Sequence, residues 1–99
     1  MACEMLVALN VVDDRLYSAY RRGMTPILEK FGGGFRFDVT VQTTLKTELP
    51  HPVNRVFIIS FPDAERKAAF FADSDYQKVK KEFFSAAVKD TAILSEINS

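Results

Sequence analysis

At 99 residues the chain has room for one domain, spanning 1–99, and little room for a second. With 47% apolar and 26% charged residues it has the composition of a globular fold, not of a disordered segment. Thirteen Lys plus Arg balance thirteen Asp plus Glu, so the surplus of positive charge needed to neutralise phosphates is absent and no nucleic-acid partner is expected.

One cysteine, Cys3, leaves no intramolecular disulfide and favours a reducing compartment. No segment approaches the roughly 18 apolar residues of a membrane span. The start, Met1-Ala2-Cys3-Glu4, lacks the basic stretch of a signal peptide. The expectation is a cytoplasmic protein with no membrane partner. Nine Phe against no Trp is the compositional oddity. Phe presents a large apolar surface with no polar atom to satisfy, which suits cores and dry interfaces.

In chain order, Met5-Leu6-Val7-Ala8-Leu9-Asn10-Val11-Val12 is a nearly continuous apolar run and predicts a strand buried on both faces. Asp13-Asp14 follows as an N-cap, with acidic charge where the helix dipole favours it. Tyr17, Tyr20, Met24, Ile27 and Phe31 then recur at helical spacing, one stripe down one face. Pro26 interrupts this segment, so a kink or break is expected between Gly23 and Pro26, and Gly32 is expected as a left-handed C-cap.

From Phe35 the period changes to two. Phe35, Phe37, Val39, Val41, Thr43 and Leu45 are predicted on one face of a strand, with Arg36, Asp38, Thr40, Gln42, Thr44 and Lys46 on the other. Pro50-His51-Pro52 forces a connection. Arg55-Val56-Phe57-Ile58-Ile59-Ser60-Phe61 reads as a third strand, again apolar on both faces. Pro62-Asp63 opens a helix through Phe71, and Asp73-Ser74-Asp75 restarts it with Tyr76, Val79, Phe83 and Ala87 on one stripe. Ala92-Ile93-Leu94-Ser95-Glu96-Ile97 makes a short fourth strand.

The order β-α-β-β-α-β predicts an α+β, ferredoxin-like fold: a four-stranded antiparallel sheet with both helices on one face. The first and third strands lie in the centre of that topology, and these are the two that are apolar on both faces. Leaving a Phe, Ile or Leu in water costs about 1.5–3 kcal/mol relative to burying it. The helix-free face would therefore form an apolar patch larger than soluble monomers usually expose. A second copy of the same sheet is the simplest cover, so a homodimer is expected.

The segments Tyr20-Arg21-Arg22-Gly23-Met24-Thr25-Pro26-Ile27-Leu28-Glu29-Lys30-Phe31-Gly32-Gly33 and Phe61-Pro62-Asp63, followed by Phe70-Phe71-Ala72-Asp73-Ser74-Asp75-Tyr76-Gln77, resemble a domain-of-unknown-function family of about a hundred residues in the dimeric α/β-barrel superfamily. The resemblance covers nearly the whole chain and implies a fold and a dimer more than an activity. Superfamily relatives include cofactor-free monooxygenases, muconolactone isomerases and haem-binding barrels. The family usually carries an arginine in the helix after Tyr-Gln, where this chain has Glu82-Phe83-Phe84.

Few residues offer chemistry. His51 is the only histidine and lies in a loop between prolines, without Cys or acidic neighbours at ligand spacing, so no metal site is expected. Gly32-Gly33-Gly34 follows a helix, whereas phosphate loops precede one; a cap and turn is the reading. Cys3 has no histidine nearby in sequence to activate it and reads as a small apolar strand residue. Lys78, Lys80, Lys81 and Lys89 are interspersed with Asp73, Asp75 and Glu82, the pattern of a solvated helix face. Arg36, Asp38, Thr40 and Gln42 either meet water or line a cavity. Tyr17, Tyr20 and Tyr76 bring hydroxyls to apolar stripes, either as core tyrosines or as walls of a ligand pocket. The functional expectation is a pocket between helices and sheet for a small apolar or aromatic molecule, with Asn10, Tyr20, Arg36 and Tyr76 as its polar members. No catalytic residue and no cofactor is assigned. By superfamily analogy the activity would be isomerisation or oxygen-dependent oxidation; the alternative is a non-catalytic homodimeric module that binds a metabolite or another protein.

Overall fold

A computed structural model describes residues 2–98. Strand β1 (Cys3–Val11) leads to helix α1 (Asp14–Lys30), then strands β2 (Gly34–Thr40) and β3 (Arg55–Phe61), helices α2 (Ala64–Ala72) and α3 (Ser74–Val79), and strand β4 (Val88–Asn98). The α3 axis is continued by a π-helical turn, Lys80–Phe84, and one last turn, Ser85–Ala87. All strand pairs are antiparallel, in the order β2-β3-β1-β4. The ferredoxin-like β-α-β-β-α-β arrangement is therefore as expected, with the doubly apolar strands at the centre.

The register separates the two faces of the sheet. Met5 opposes Ile59 and Val7 opposes Phe57, and these side chains join Leu9 and Phe61 in the core beneath the helices. Their neighbours Leu6, Ala8, Val56 and Ile58 belong to the other face, where Leu6 opposes Ile58 and Ala8 opposes Val56. Phe37 and Val39 of β2, paired with Ile58 and Val56, extend that face, as does Ile97 of β4 opposite Glu4. Phe37, Ile97 and Leu94 are each about half exposed. A helix-free apolar face exists as the sequence implied.

Asp13 caps α1 by accepting from the Leu16 amide at 3.0 Å, and Asp63 and Asp73 cap the next two helices in the same way. At the other end of α1, the Gly33 amide donates to Leu28 and the Gly32 amide to Glu29, closing a Schellman motif. It requires the left-handed backbone that Gly32 adopts at φ 77°. Of the kink or break expected between Gly23 and Pro26, the break is absent: helix α1 runs on across Pro26 to Lys30. Arg22 and Pro26 lie on the exposed side, so the Arg22 carbonyl that loses its partner meets water, while Met24 and Leu28 pack fully buried on the sheet. Gly23 allows α1 to approach α3 closely: a Cβ there would lie 3.0 Å from Val79 Cγ1.

The second strand departs most from expectation. It ends at Thr40, and residues 41–54 form a connection containing His51. A bulge between Phe35 and Phe37 changes the pairing register at Arg36. Phe35 opposes Ile59 on the helix side, whereas Phe37 and Val39 fall on the open side, and Asp38 turns back toward the helices. The expected single polar row Arg36, Asp38, Thr40 and Gln42 is therefore split.

Candidate functional site

Between the helices and the sheet lies a cavity of about 260 Å³. Met5, Val7 and Leu9 of β1 with Phe57 and Ile59 of β3 form its floor, and Phe35, Thr91 and Ile93 border it from the edge strands. Tyr17, Tyr20 and Met24 reach it from α1, because helical spacing sets them on one face. Phe70, Phe71 and Tyr76, with Lys80 and Phe84, complete its lining. The Asp73 cap orients the first turn of α3 and so aims Tyr76 inward: Asp73 Oδ1 accepts from the Tyr76 amide at 2.9 Å.

The Tyr20 and Tyr76 hydroxyls meet at 2.8 Å, both residues almost wholly buried. Burial holds both phenols above their usual range; for Tyr20 the neighbouring Tyr76 adds to the rise, and for Tyr76 the bond to Tyr20 opposes it. Tyr17, also raised by burial, accepts from Arg21 Nη1 at 2.9 Å. Arg21 stacks over the Phe35 ring at 3.6 Å and pairs with Asp38 at 2.7 Å. Arg55 pairs with the same carboxylate through Nε and Nη2, each at 2.8 Å. Hydrogen bonds from Arg55, reinforced by Arg21 against partial burial, hold the Asp38 carboxyl below the usual carboxylate range. These ion pairs fix the end of the cavity at Tyr17.

The structure brings two of the four expected pocket residues together, Tyr20 and Tyr76. Asn10 and Arg36 lie elsewhere, which corrects the expectation for both. Asn10 points to the helix-free face and donates to Asp90 at 2.9 Å, because Met5, Val7 and Leu9 take the helix side and the residues between them the other. Arg36 sits at the β2 bulge, mostly exposed, and pairs with Glu4 at 2.7 Å. Two lining residues escaped the sequence reading, Phe84 and Lys80, as did Arg21, which packs on Phe35 and Tyr17 beside the cavity. Lys80 was readable only as part of a solvated face, although it stands four residues after Tyr76 and so on the same side of the helix. The π-turn starting at Lys80 carries Phe84 toward Tyr20, ring centroids 4.9 Å apart. Cys3 is buried, and among the described residues no three His, Cys, Asp or Glu side chains gather at metal-ligand distance.

The tyrosine pair has a testable energetic signature. Tyr76→Phe strands the Tyr20 hydroxyl in an apolar wall and is expected to lower stability by about 1–3 kcal/mol, whereas Tyr20→Phe combined with Tyr76→Phe removes both partners and costs less than either alone. Urea unfolding of the four proteins in the cycle measures this coupling. A fully stable Tyr76→Phe protein would mean that cavity water replaces the bond.

Comparisons with known proteins agree with the fold. No curated protein matches the chain. A protein of unknown function from Rhodopseudomonas palustris aligns with a TM-score of 0.85 at 20% identity, over 99% of this chain and 82% of that one. A protein from Bacteroides fragilis, described as dimeric, of unknown function and with a ferredoxin-like fold, aligns at 0.62 and 10% identity over 99% and 96%. A dimeric ferredoxin-like protein of unknown function from Jannaschia aligns at 0.60 and 11% identity over the full length of both chains. The family model for the domain of unknown function DUF1330 matches residues 5–97, and the chain belongs to that family.

Proposed function

We propose that this chain is a homodimeric binding protein for a small apolar or aromatic molecule held between the helices and the sheet. The observation that carries this reading is the cavity itself. Close-packed interiors leave few voids larger than a water molecule, and an unfilled volume costs stability. Here about 260 Å³ stays open amid Phe, Met, Val and Ile side chains, with three tyrosines in its wall. That approaches the lower end, about 300 Å³, of small-molecule pockets. The dimer is supported by the uncovered apolar sheet face and by the dimeric neighbours of the same fold. No helix among the described residues is long and apolar enough to cross a membrane. A cytoplasmic setting belongs to the same reading, supported by the lone, buried Cys3.

Binding is favoured over catalysis by the character of the polar groups. Burial raises all three phenols, so at neutral pH they are hydrogen-bond partners and not bases. Cofactor-free isomerisation or oxidation rests on analogy with the superfamily. A neutral naphthalene dye whose emission shifts in apolar surroundings tests the cavity. It is expected to bind saturably, one per chain. Ile93 borders the cavity and is about half exposed, so Ile93→Trp can fill the space without overpacking a closed core. This variant is expected to weaken dye binding by at least about tenfold while keeping the melting temperature of the parent protein. Unchanged dye affinity in Ile93→Trp would remove the reading.

A further inference from the structure

The cavity wall contains one charged residue, Lys80, and no carboxylate. Lys80 is exposed and takes part in no ion pair among the described residues. A lysine so placed lays its apolar stem along the wall and keeps its ammonium at the mouth. Asp38, outside the lining and reached only through Arg21 beside Tyr17, already accepts three N–H bonds from Arg21 and Arg55 and has little capacity left for a cationic ligand. The hydroxyls, in contrast, have protons to spare. The Tyr20–Tyr76 bond consumes one of that pair's two protons, and Tyr17 keeps its own because its oxygen accepts from Arg21. With the phenols neutral, nothing in the wall repels a negative charge.

We infer that the ligand is an apolar or aromatic monocarboxylate, its body in the cavity and its carboxylate between the Lys80 ammonium and the free hydroxyl proton of the Tyr20–Tyr76 pair. This rests on the reading of the cavity as a ligand site and adds the chemical class. The volume equals that of about nine waters at about 30 Å³ each, enough for one aromatic ring with a short chain.

Three probes of one shape and different charge test it: 3-phenylpropanoate, 3-phenylpropanamide and 3-phenylpropylamine, each titrated as a competitor of the neutral dye. The carboxylate is expected to bind about tenfold more tightly than the amide, with the amine weakest. Lys80→Gln keeps most of the stem and removes the charge; it is expected to abolish the advantage of the carboxylate and leave the amide unchanged. The inference is overturned if the carboxylate binds no better than the amide, or if its advantage survives in Lys80→Gln. Either result leaves the cavity reading intact, because that reading stands or falls with the dye and Ile93→Trp.

Discussion

Replacing Ile58 with aspartate is expected to turn a dimer into a folded monomer. Ile58 lies on the helix-free face of central strand β3, opposite Leu6 on one side and Phe37 on the other. If two copies bury this face against each other, two-fold symmetry brings in both introduced carboxylates together. Each would be desolvated without a partner, at a cost of several kcal/mol. The dissociation constant should then rise by more than about a thousandfold, since each 1.4 kcal/mol is a factor of ten. Sedimentation at micromolar concentration should give twice the chain mass for the parent protein and the chain mass for Ile58→Asp, with unchanged far-ultraviolet circular dichroism. Phe37→Glu, at an edge position about half exposed, guards against a folding defect and should weaken the dimer in the same direction. A parent protein that sediments as a monomer, or two variants that remain dimeric, would sink the proposed interface.

How far this face and the cavity were legible differs by physical cause. The strand order, the cap residues and the Gly32 turn follow from local chemistry, which acts over a few residues and leaves a mark in each. The assignment of faces does not. A run such as Met5 to Val12, apolar on both faces except at Asn10, contains no signal for which alternate set meets the helices, so Asn10 could not be assigned to the side it takes. The bulge at Arg36 reverses the alternation in mid-strand and leaves no compositional trace. It is the reason Arg36 pairs with Glu4 on one face while Asp38 anchors Arg21 and Arg55 on the other. The π-turn after Val79 likewise inserts a residue into the helical phase, so Phe84 reaches the cavity although the stripe predicted from Tyr76 passed through Phe83. Tyr20 and Tyr76 were legible because each sits in a regular stretch of helix, Tyr20 in the unbroken α1 and Tyr76 ahead of the π-turn.

The largest loss of stability is expected from Phe70→Ala. Phe70 is completely buried, and its ring lies between those of Tyr76 at 4.3 Å, Phe71 at 5.1 Å, Phe61 at 5.5 Å and Phe31 at 6.3 Å, centroid to centroid. It thus joins α2 to β3, to α3 and to the end of α1 in one aromatic cluster. Truncating a buried Phe to Ala removes its transfer free energy and leaves a void, together about 3–5 kcal/mol. A domain of this size has only about 5–15 kcal/mol in total, so Phe70→Ala should be near the limit of folding. Phe70 also lines the cavity, and its removal merges the new void with the existing one. Apolar cavities of that kind take up benzene, and a ligand that binds only the folded state raises stability by mass action. Saturating benzene should therefore raise the melting temperature of Phe70→Ala more than that of the parent protein. Denaturant unfolding with and without benzene measures both effects. A loss below about 1 kcal/mol would show that the neighbouring rings collapse into the space, in which case the aromatic cluster is not the rigid wall that holds Tyr76 against the cavity.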